Sequence, residues 1–333
     1  MRTLFRLKNR AARLCGAALL LACAGAASAA QPTRISFRLD WTVYGTHAPF
    51  FLAVDKGLYA KEGLEVKVEE GQGSGTVAKL VAQGNDQMGF VDFTSMIRGV
   101  EQGMPLVAVM RVVSNAMCIV SHADAPIKSP KELEGKVIAY APGESTAQMF
   151  PALAASGQAD AARINVISPA VGAKNALFLQ KRADAFTANT NVQIAQVEAL
   201  GAKTHYFRYS DFGVNLMNNG VVANADFARQ NPDVVRRFLR ATREAFEMAE
   251  KDPEGAIDAL VRQRPQEARN RDTLLRQLQL SPELYATAHT QGKPFGYMAR
   301  EDWDETQGLL VKYGGLPKAV PVERLYTNDY LPQ

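Results

Sequence analysis

The chain has 333 residues, 47% apolar and 22% charged, with 38 Lys and Arg against 34 Asp and Glu for a formal charge of +4. Five of the basic residues and none of the acidic ones fall in the first thirty positions, so the remainder carries −1 and offers no basic face to neutralise the phosphates of a nucleic acid. Of the three cysteines only Cys118 lies beyond that segment, which excludes an internal disulfide there and leaves stability to packing, in a length sufficient for two ordinary domains.

Arg2, Arg6, Lys8, Arg10 and Arg13 precede an apolar run from Leu14 to about Ala24, and Ala27-Ser28-Ala29 follows. This is the layout of a secretory signal peptide over residues 1–30, with an apolar run shorter than the roughly 20 residues of a membrane-spanning helix. A soluble, periplasmic protein is the expectation. Leu20-Leu21-Ala22-Cys23 also fits a lipoprotein processing site, at which Cys23 would carry the lipid, whereas Ala27-Ser28-Ala29 offers an ordinary cleavage site.

From residue 34 short apolar runs alternate with helical patterns. Strands are predicted at Ile35 to Leu39, Glu65 to Glu69 and Met88 to Val91, with helices at His47 to Glu62 and Gly75 to Gln83. Phe50, Phe51, Val54 and Leu58 share one face of the first helix, which therefore packs on a sheet. A second series follows, with strands at Met117 to Val120, Val137 to Tyr140, Ile164 to Ile167, Asp184 to Ala188 and Thr204 to Phe207, and helices after Gly143 and from Gly172 to Lys181. From about Asp226 the pattern is helical: Pro232 to Lys251, Pro253 to Gln263, Pro265 to Leu280 and Arg300 to Tyr313, the three prolines suiting first helical turns. Strand and helix in alternation indicate parallel α/β sheets.

Gly, Ser, Thr and Asn recur where strands should end, in Gly71 to Thr76, Asp92 to Ser95, Gly143 to Thr146 and Thr187 to Asn191. Open α/β sheets bind ligands beyond the carboxyl ends of their strands. Trp41 and Tyr44 follow the first strand, where flat rings either stack on a ligand or join a core. His47 opens the first helix, as a ligand contact or a backbone-bonded residue. Ser74, Thr76, Ser145 and Thr146 serve as helix caps, as ligand contacts, or as both. Phe93, Thr94 and Asn189 complete the loop candidates. His122, His205 and His289 lack acidic neighbours at ligand spacing, and no metal site or catalytic triad is expected.

In order and spacing, Leu39-Asp40-Trp41, His47, Phe51-Leu52-Ala53, Lys56-Gly57-Leu58-Tyr59, Glu62-Gly63-Leu64, Lys79 to Gly84, Met88-Gly89-Phe90, Tyr209 to Val214 and Tyr326 to Leu331 together resemble the type II periplasmic binding proteins of ABC importers. The group meant includes binders of taurine, alkanesulfonates and the pyrimidine precursor of thiamine. The resemblance runs from residue 34 to the C-terminus. It implies an α/β fold of two lobes joined by two crossings, with lobe I at 34–115 plus 220–333, lobe II at 116–219 and a ligand cleft between them. It also implies a monomeric binding protein without cofactor, whose partners are a small molecule and the membrane permease of an importer, or else a sensor domain presenting ligand to a receptor.

A pyrimidine synthase shares that fold and uses a lysine-bound pyridoxal phosphate, a histidine and a cysteine-rich loop with iron. The segment resembling its cofactor loop here reads Gly143-Glu144-Ser145-Thr146 without a lysine, and 211–220 holds no cysteine. No enzyme is expected.

The same resemblance returns Asp211 and Phe212 towards the hinge, where Asp211 accepts bonds from ligand amino groups or forms a turn before Gly213. The loops hold Asp40, Glu70, Asp92, Glu144 and Asp211 against Arg111 and Arg208. Trp41, Tyr44, Phe93 and Phe212 as walls and Asp40, Asp92, Asp211 and Asn189 as acceptors suit a planar heterocycle bearing N–H donors, such as an aminopyrimidine. A sulfonate or aromatic carboxylate on helix N-termini is the alternative.

Overall fold

The computed structural model describes residues 31–141, 144–170 and 173–332, so the leader, Cys23, Gly143 and Gly172 lie outside the described residues. Thr33–Gln333 is one compact unit. Among the described residues its strands are β1 (Thr33–Arg38), β2 (Leu64–Glu69), β3 (Met88–Asp92), β4 (Leu106–Arg111), β5 (Met117–His122), β6 (Val137–Ala139), β7 (Asn165–Ile167), β8 (Ala185–Asn189), β9 (Thr204–Arg208) and β10 (Asn219–Asn224).

They form two five-stranded sheets, ordered β2-β1-β3-β10-β4 and β7-β6-β8-β5-β9. In the first, β1 is parallel to β2 and β3, while β10 is antiparallel to β3 and β4. In the second, β6 is parallel to β7 and β8, while β5 is antiparallel to β8 and β9. The chain thus leaves the first sheet after β4, completes the second, and returns as β10 to the interior of the first. Two crossings result, as the fold class requires. Central strands covered on both faces are apolar throughout, as Met88-Gly89-Phe90-Val91 shows.

The crossings run side by side. Val112 and Val113 N–H donate to Asn219 O at 2.9 and 2.8 Å, and Asn115 and Leu216 exchange backbone and side-chain bonds, with Asn115 at φ 55°. Asn218 Oδ1 accepts from Ala116 N–H at 3.0 Å.

The helix expected from His47 to Glu62 is two helices, Ala48–Asp55 and Leu58–Lys61, because Gly57 takes φ 65° and stops the first. The first is buried on more than one face. Phe50 lies against Phe37 and Phe90 of the sheet at 4.7 and 5.6 Å between ring centres, and against Phe246 at 5.3 Å. Phe246 belongs to helix Pro232–Lys251, which buries Val235, Phe238, Leu239, Thr242, Ala245, Phe246 and Ala249 at helical spacing. Burying a Phe or Leu contributes about 1.5–3 kcal/mol, so this face fastens the C-terminal helices to the first sheet. The helix expected over Pro265 to Leu280 begins as a 3-10 segment, Pro265–Asn270, before helix Arg271–Gln279. Helix Arg300–Lys312 buries Trp303, whose ring stacks on Tyr326 at 5.3 Å and tilts on Phe93 at 5.0 Å. Among the described residues no helix is long and apolar enough to cross a membrane.

Candidate ligand cleft

Strand-end loops of both sheets face one another across a cleft of about 540 Å³, a size ordinary for small-molecule sites. On the first sheet the loops after β1, β2 and β3 are tied together. Gly73 N–H donates to Asp40 O at 2.8 Å, and Asp92 N–H donates to Ser74 Oγ at 2.9 Å. Gly73 sits at φ 106°, a conformation side chains rarely adopt, and brings the backbone near the Trp41 ring. Trp41 itself is 47% exposed at the cleft wall.

Asp40 is held by three side chains. His47 Nδ1 accepts from Tyr44 N–H at 3.3 Å, so Nε2 is the donor to Asp40 Oδ1 at 2.8 Å. Asn219 Nδ2 and the Tyr44 hydroxyl donate to Oδ2 at 3.0 and 3.3 Å. Burial, and then the Asp40 charge, push the Tyr44 hydroxyl well above its usual range, so it stays a donor. Asp92 caps helix Phe93–Glu101, its Oδ1 accepting from Thr94 and Ser95 N–H at 3.0 and 3.2 Å and from the Thr94 hydroxyl. Its Oδ2 has no hydrogen-bond partner among the described residues. Burial raises the Asp92 carboxyl from 3.8 to about 6, against the lowering effect of the Thr94 and Ser95 bonds, with Asp40 adding to the rise.

The second sheet supplies Glu144, Ser145, Thr146, Gln148, Lys174, Asn175 and Asn189. Lys174, its side chain 4% exposed, pairs with Glu144. The Thr146 hydroxyl meets that of Thr187 at 3.1 Å, and Thr146 O accepts from Tyr209 OH at 3.1 Å. Contacts between the facing sides include Arg98 Nη2 donating to Gln148 Oε1 at 3.0 Å and Asn191 Nδ2 donating to Thr46 Oγ1 at 2.9 Å, and Arg98 Nη2 also donates to Gly314 O at 2.5 Å.

Of the residues selected from sequence, the cleft brings together Trp41, Tyr44, Ser74, Thr94, Ser145, Thr146 and Asn189. The others lie elsewhere. His47 is fully buried behind Asp40. Phe93 is a core residue against Trp303, because the first side chain of its helix turns inward. Thr76 is exposed on helix Ser74–Ala82. Asp211 is exposed and accepts from Arg208 N–H at 2.8 Å, closing a turn, and Phe212 packs on Phe207 at 5.3 Å. Among the charged loop residues, Asp40, Asp92 and Glu144 reach the cleft, whereas Arg208 pairs with Glu283 and Arg111 is buried beneath Thr290 and Tyr297. The two cleft cations are instead Arg98 and Lys174, neither selected from sequence. Lys174 was legible in principle: it opens the helix that follows β7, the kind of position that singled out Ser74 and Ser145. Among the described residues no group of three or more His, Cys, Asp or Glu side chains is placed to hold a metal ion.

The model of the family described as NMT1/THI5 like matches residues 45–256. The chain belongs to the NMT1/THI5-like family. The chain is similar to the riboflavin-binding protein RibY of Chloroflexus aurantiacus, at 24% identity over 91% of this chain and 88% of that protein. It is 22% identical to a formylaminopyrimidine-binding protein of Halalkalibacterium halodurans, over 88% and 89% of the two chains. A 4-amino-5-hydroxymethyl-2-methylpyrimidine phosphate synthase of Legionella pneumophila is 20% identical over 90% and 93%. Among solved structures, the periplasmic aliphatic sulphonate binding protein SsuA of Escherichia coli superposes with a TM-score of 0.69 at 16% identity, covering 88% of this chain and 91% of that one. The shared fold is that of periplasmic binding proteins.

Proposed function

We propose that this NMT1/THI5-like chain is the exported solute-binding component of an importer, and that its cleft holds a small planar heterocycle rich in N–H donors. One observation carries the choice of ligand: the cleft is lined by three carboxylates against two cations, and both cations are already engaged, Lys174 by Glu144 and Arg98 by Gly314 O and Gln148. A sulfonate or nitrate entering it meets net negative charge and finds no uncommitted arginine. A neutral ring finds a free acceptor at Asp92 Oδ2 and an aromatic face at Trp41. The likeness to binders of riboflavin and formylaminopyrimidine supports this class. The leader supports export, and the paired crossings provide the hinge about which the two sheets, with their helices, close on the ligand.

Binding without turnover is part of the proposal. A Schiff base needs a lysine amine with a free lone pair, and the cleft lysine is an ion-paired ammonium. Thermal shift of the purified protein with riboflavin, formylaminopyrimidine, octanesulfonate and nitrate separates the ligand classes. A ligand at about 100 times its dissociation constant adds roughly 2.7 kcal/mol of stability. Stabilisation by either heterocycle and by neither anion is expected, with the ligand recovered unchanged after incubation. Stabilisation by the anions alone refutes the ligand class, and chemical conversion of the ligand refutes the binding role.

A further inference from the structure

We infer that the Lys174–Glu144 pair recognises a neutral amide edge on the ligand, an N–H beside a C=O as found in formamides, lactams and imides, and that it discriminates against anions. This rests on the binding role proposed above and deepens it.

Lys174 opens helix Lys174–Leu179, and Glu144 stands at the start of helix Ser145–Gln148, so two separate strand-end loops converge to build the pair. An ammonium has three donors, of which Glu144 Oε2 takes one, while Glu144 Oε1 has no protein partner among the described residues. The cleft wall therefore presents a donor and an acceptor side by side, with their charges cancelled. A carboxylate, phosphate or sulfonate that reaches Lys174 must also approach Glu144, and repulsion from the second offsets attraction to the first. A C=O with an adjacent N–H satisfies both and brings no charge.

A second observation points the same way. Asn175 Oδ1 and Asn189 Oδ1 line this wall, are buried, and have no hydrogen-bond partner among the described residues. Asn175 Nδ2 is spent on Gln196 Oε1 at 3.1 Å, so the oxygen is the atom left over. Buried polar atoms are rarely left unpaired, and ligand N–H groups would pair these. The wall thus sets two remaining ammonium N–H groups against three unpaired acceptor oxygens, Glu144 Oε1, Asn175 Oδ1 and Asn189 Oδ1, and so asks for more donors than acceptors, the reverse of what an oxyanion offers.

The test is titration calorimetry with the full chain purified after expression, using formylaminopyrimidine, its deformylated amine, riboflavin and octanesulfonate. The formamide group supplies a C=O beside its N–H, whereas the deformylated amine keeps N–H donors and lacks the C=O, and riboflavin carries an N–H between two carbonyls. In the wild type, formylaminopyrimidine or riboflavin binds and octanesulfonate does not. K174M weakens that binding by roughly 10- to 100-fold, the loss expected when a hydrogen bond to a charged group is removed. Binding of the deformylated amine, which has no C=O to lose from Lys174, does not show that loss. Because K174M strands Glu144, the neutral double variant K174M/E144Q is measured beside it, with circular dichroism to establish folding, and shows the same selective loss. Unchanged affinity of a folded K174M or double variant for the amide-bearing probes overturns the inference while leaving the binding role intact. Octanesulfonate binding that K174M abolishes does the same. Failure of every probe to bind the wild type overturns both.

Discussion

His47 Nε2 donates to Asp40 Oδ1 at 2.8 Å from a position with no exposed surface of its own. The histidine that opens the first helix is thus a support for a cleft carboxylate, edge-on to Phe90 at 5.4 Å between ring centres. H47A removes that donor and leaves a gap beneath Asp40 and Tyr44. A loss of about 2 kcal/mol in urea unfolding is expected, together with weaker ligand binding. A variant with wild-type stability would show that Asn219 and Tyr44 suffice to hold Asp40.

Trp41 is 47% exposed at the cleft, whereas Trp303 is fully buried. These are the two tryptophans of the chain, so ligand-induced change in indole fluorescence reports Trp41 almost alone. W41A should weaken a heterocycle by roughly 5- to 10-fold, the order of an aromatic stacking contact, while stability stays within about 0.5 kcal/mol. Equal affinity in W41A, or a fluorescence response that persists in it, removes the stacking role.

Local patterns in the sequence account for much of this architecture. Helices Pro232–Lys251 and Pro253–Gln263 start and stop where proline placement and apolar spacing put them. The strand-end loops with Ser74, Ser145 and Asn189 do reach the cleft. What escaped depends on distant partners. β10 lies between β3 and β4 after the whole second sheet has intervened, and nothing in Asn219–Asn224 encodes that neighbour. Helix Phe93–Glu101 contains Gly99 and begins on an aromatic, both poor helix signals, and owes its placement partly to Trp303 from near the other end of the chain. Phe93 reads as a cleft wall from its loop position, yet Trp303 claims it for the core. Lys174 escaped because its meaning comes from Glu144, thirty residues earlier, a pairing that only the folded chain creates.

Gly220 adjoins the second crossing, and a Cβ there would lie 2.2 Å from Met110 O and 2.4 Å from Phe93 Cζ. Neither neighbour has room to give, one being backbone within the sheet and the other a packed ring. G220A should cost about 3 kcal/mol in urea unfolding, at the upper end of ordinary overpacking. Wild-type stability in G220A would mean that β10 shifts freely between β3 and β4.

The Asp92 carboxyl gives two pH dependences of opposite sign. Burial raises it to about 6 in the folded protein, so between about pH 4 and 6 the ligand-free fold retains a proton that the unfolded chain has released. The unfolded chain binds fewer protons in that window, and this group's contribution to stability falls as pH rises through it, levelling off above about 6. A ligand that donates N–H to Asp92 Oδ2 requires the ionised form, so its affinity is full above about pH 6 and falls by up to roughly tenfold per unit below. D92N keeps a competent helix cap, since asparagine caps as well as aspartate, and should flatten both curves while weakening the ligand at pH 7. Calorimetric titrations and urea midpoints from pH 4.5 to 8 on wild type and D92N measure the two effects separately. Affinity that rises on acidification in the wild type and not in D92N would mean that the ligand accepts a hydrogen bond from a protonated Asp92, and would reverse the donor assignment on that side of the cleft.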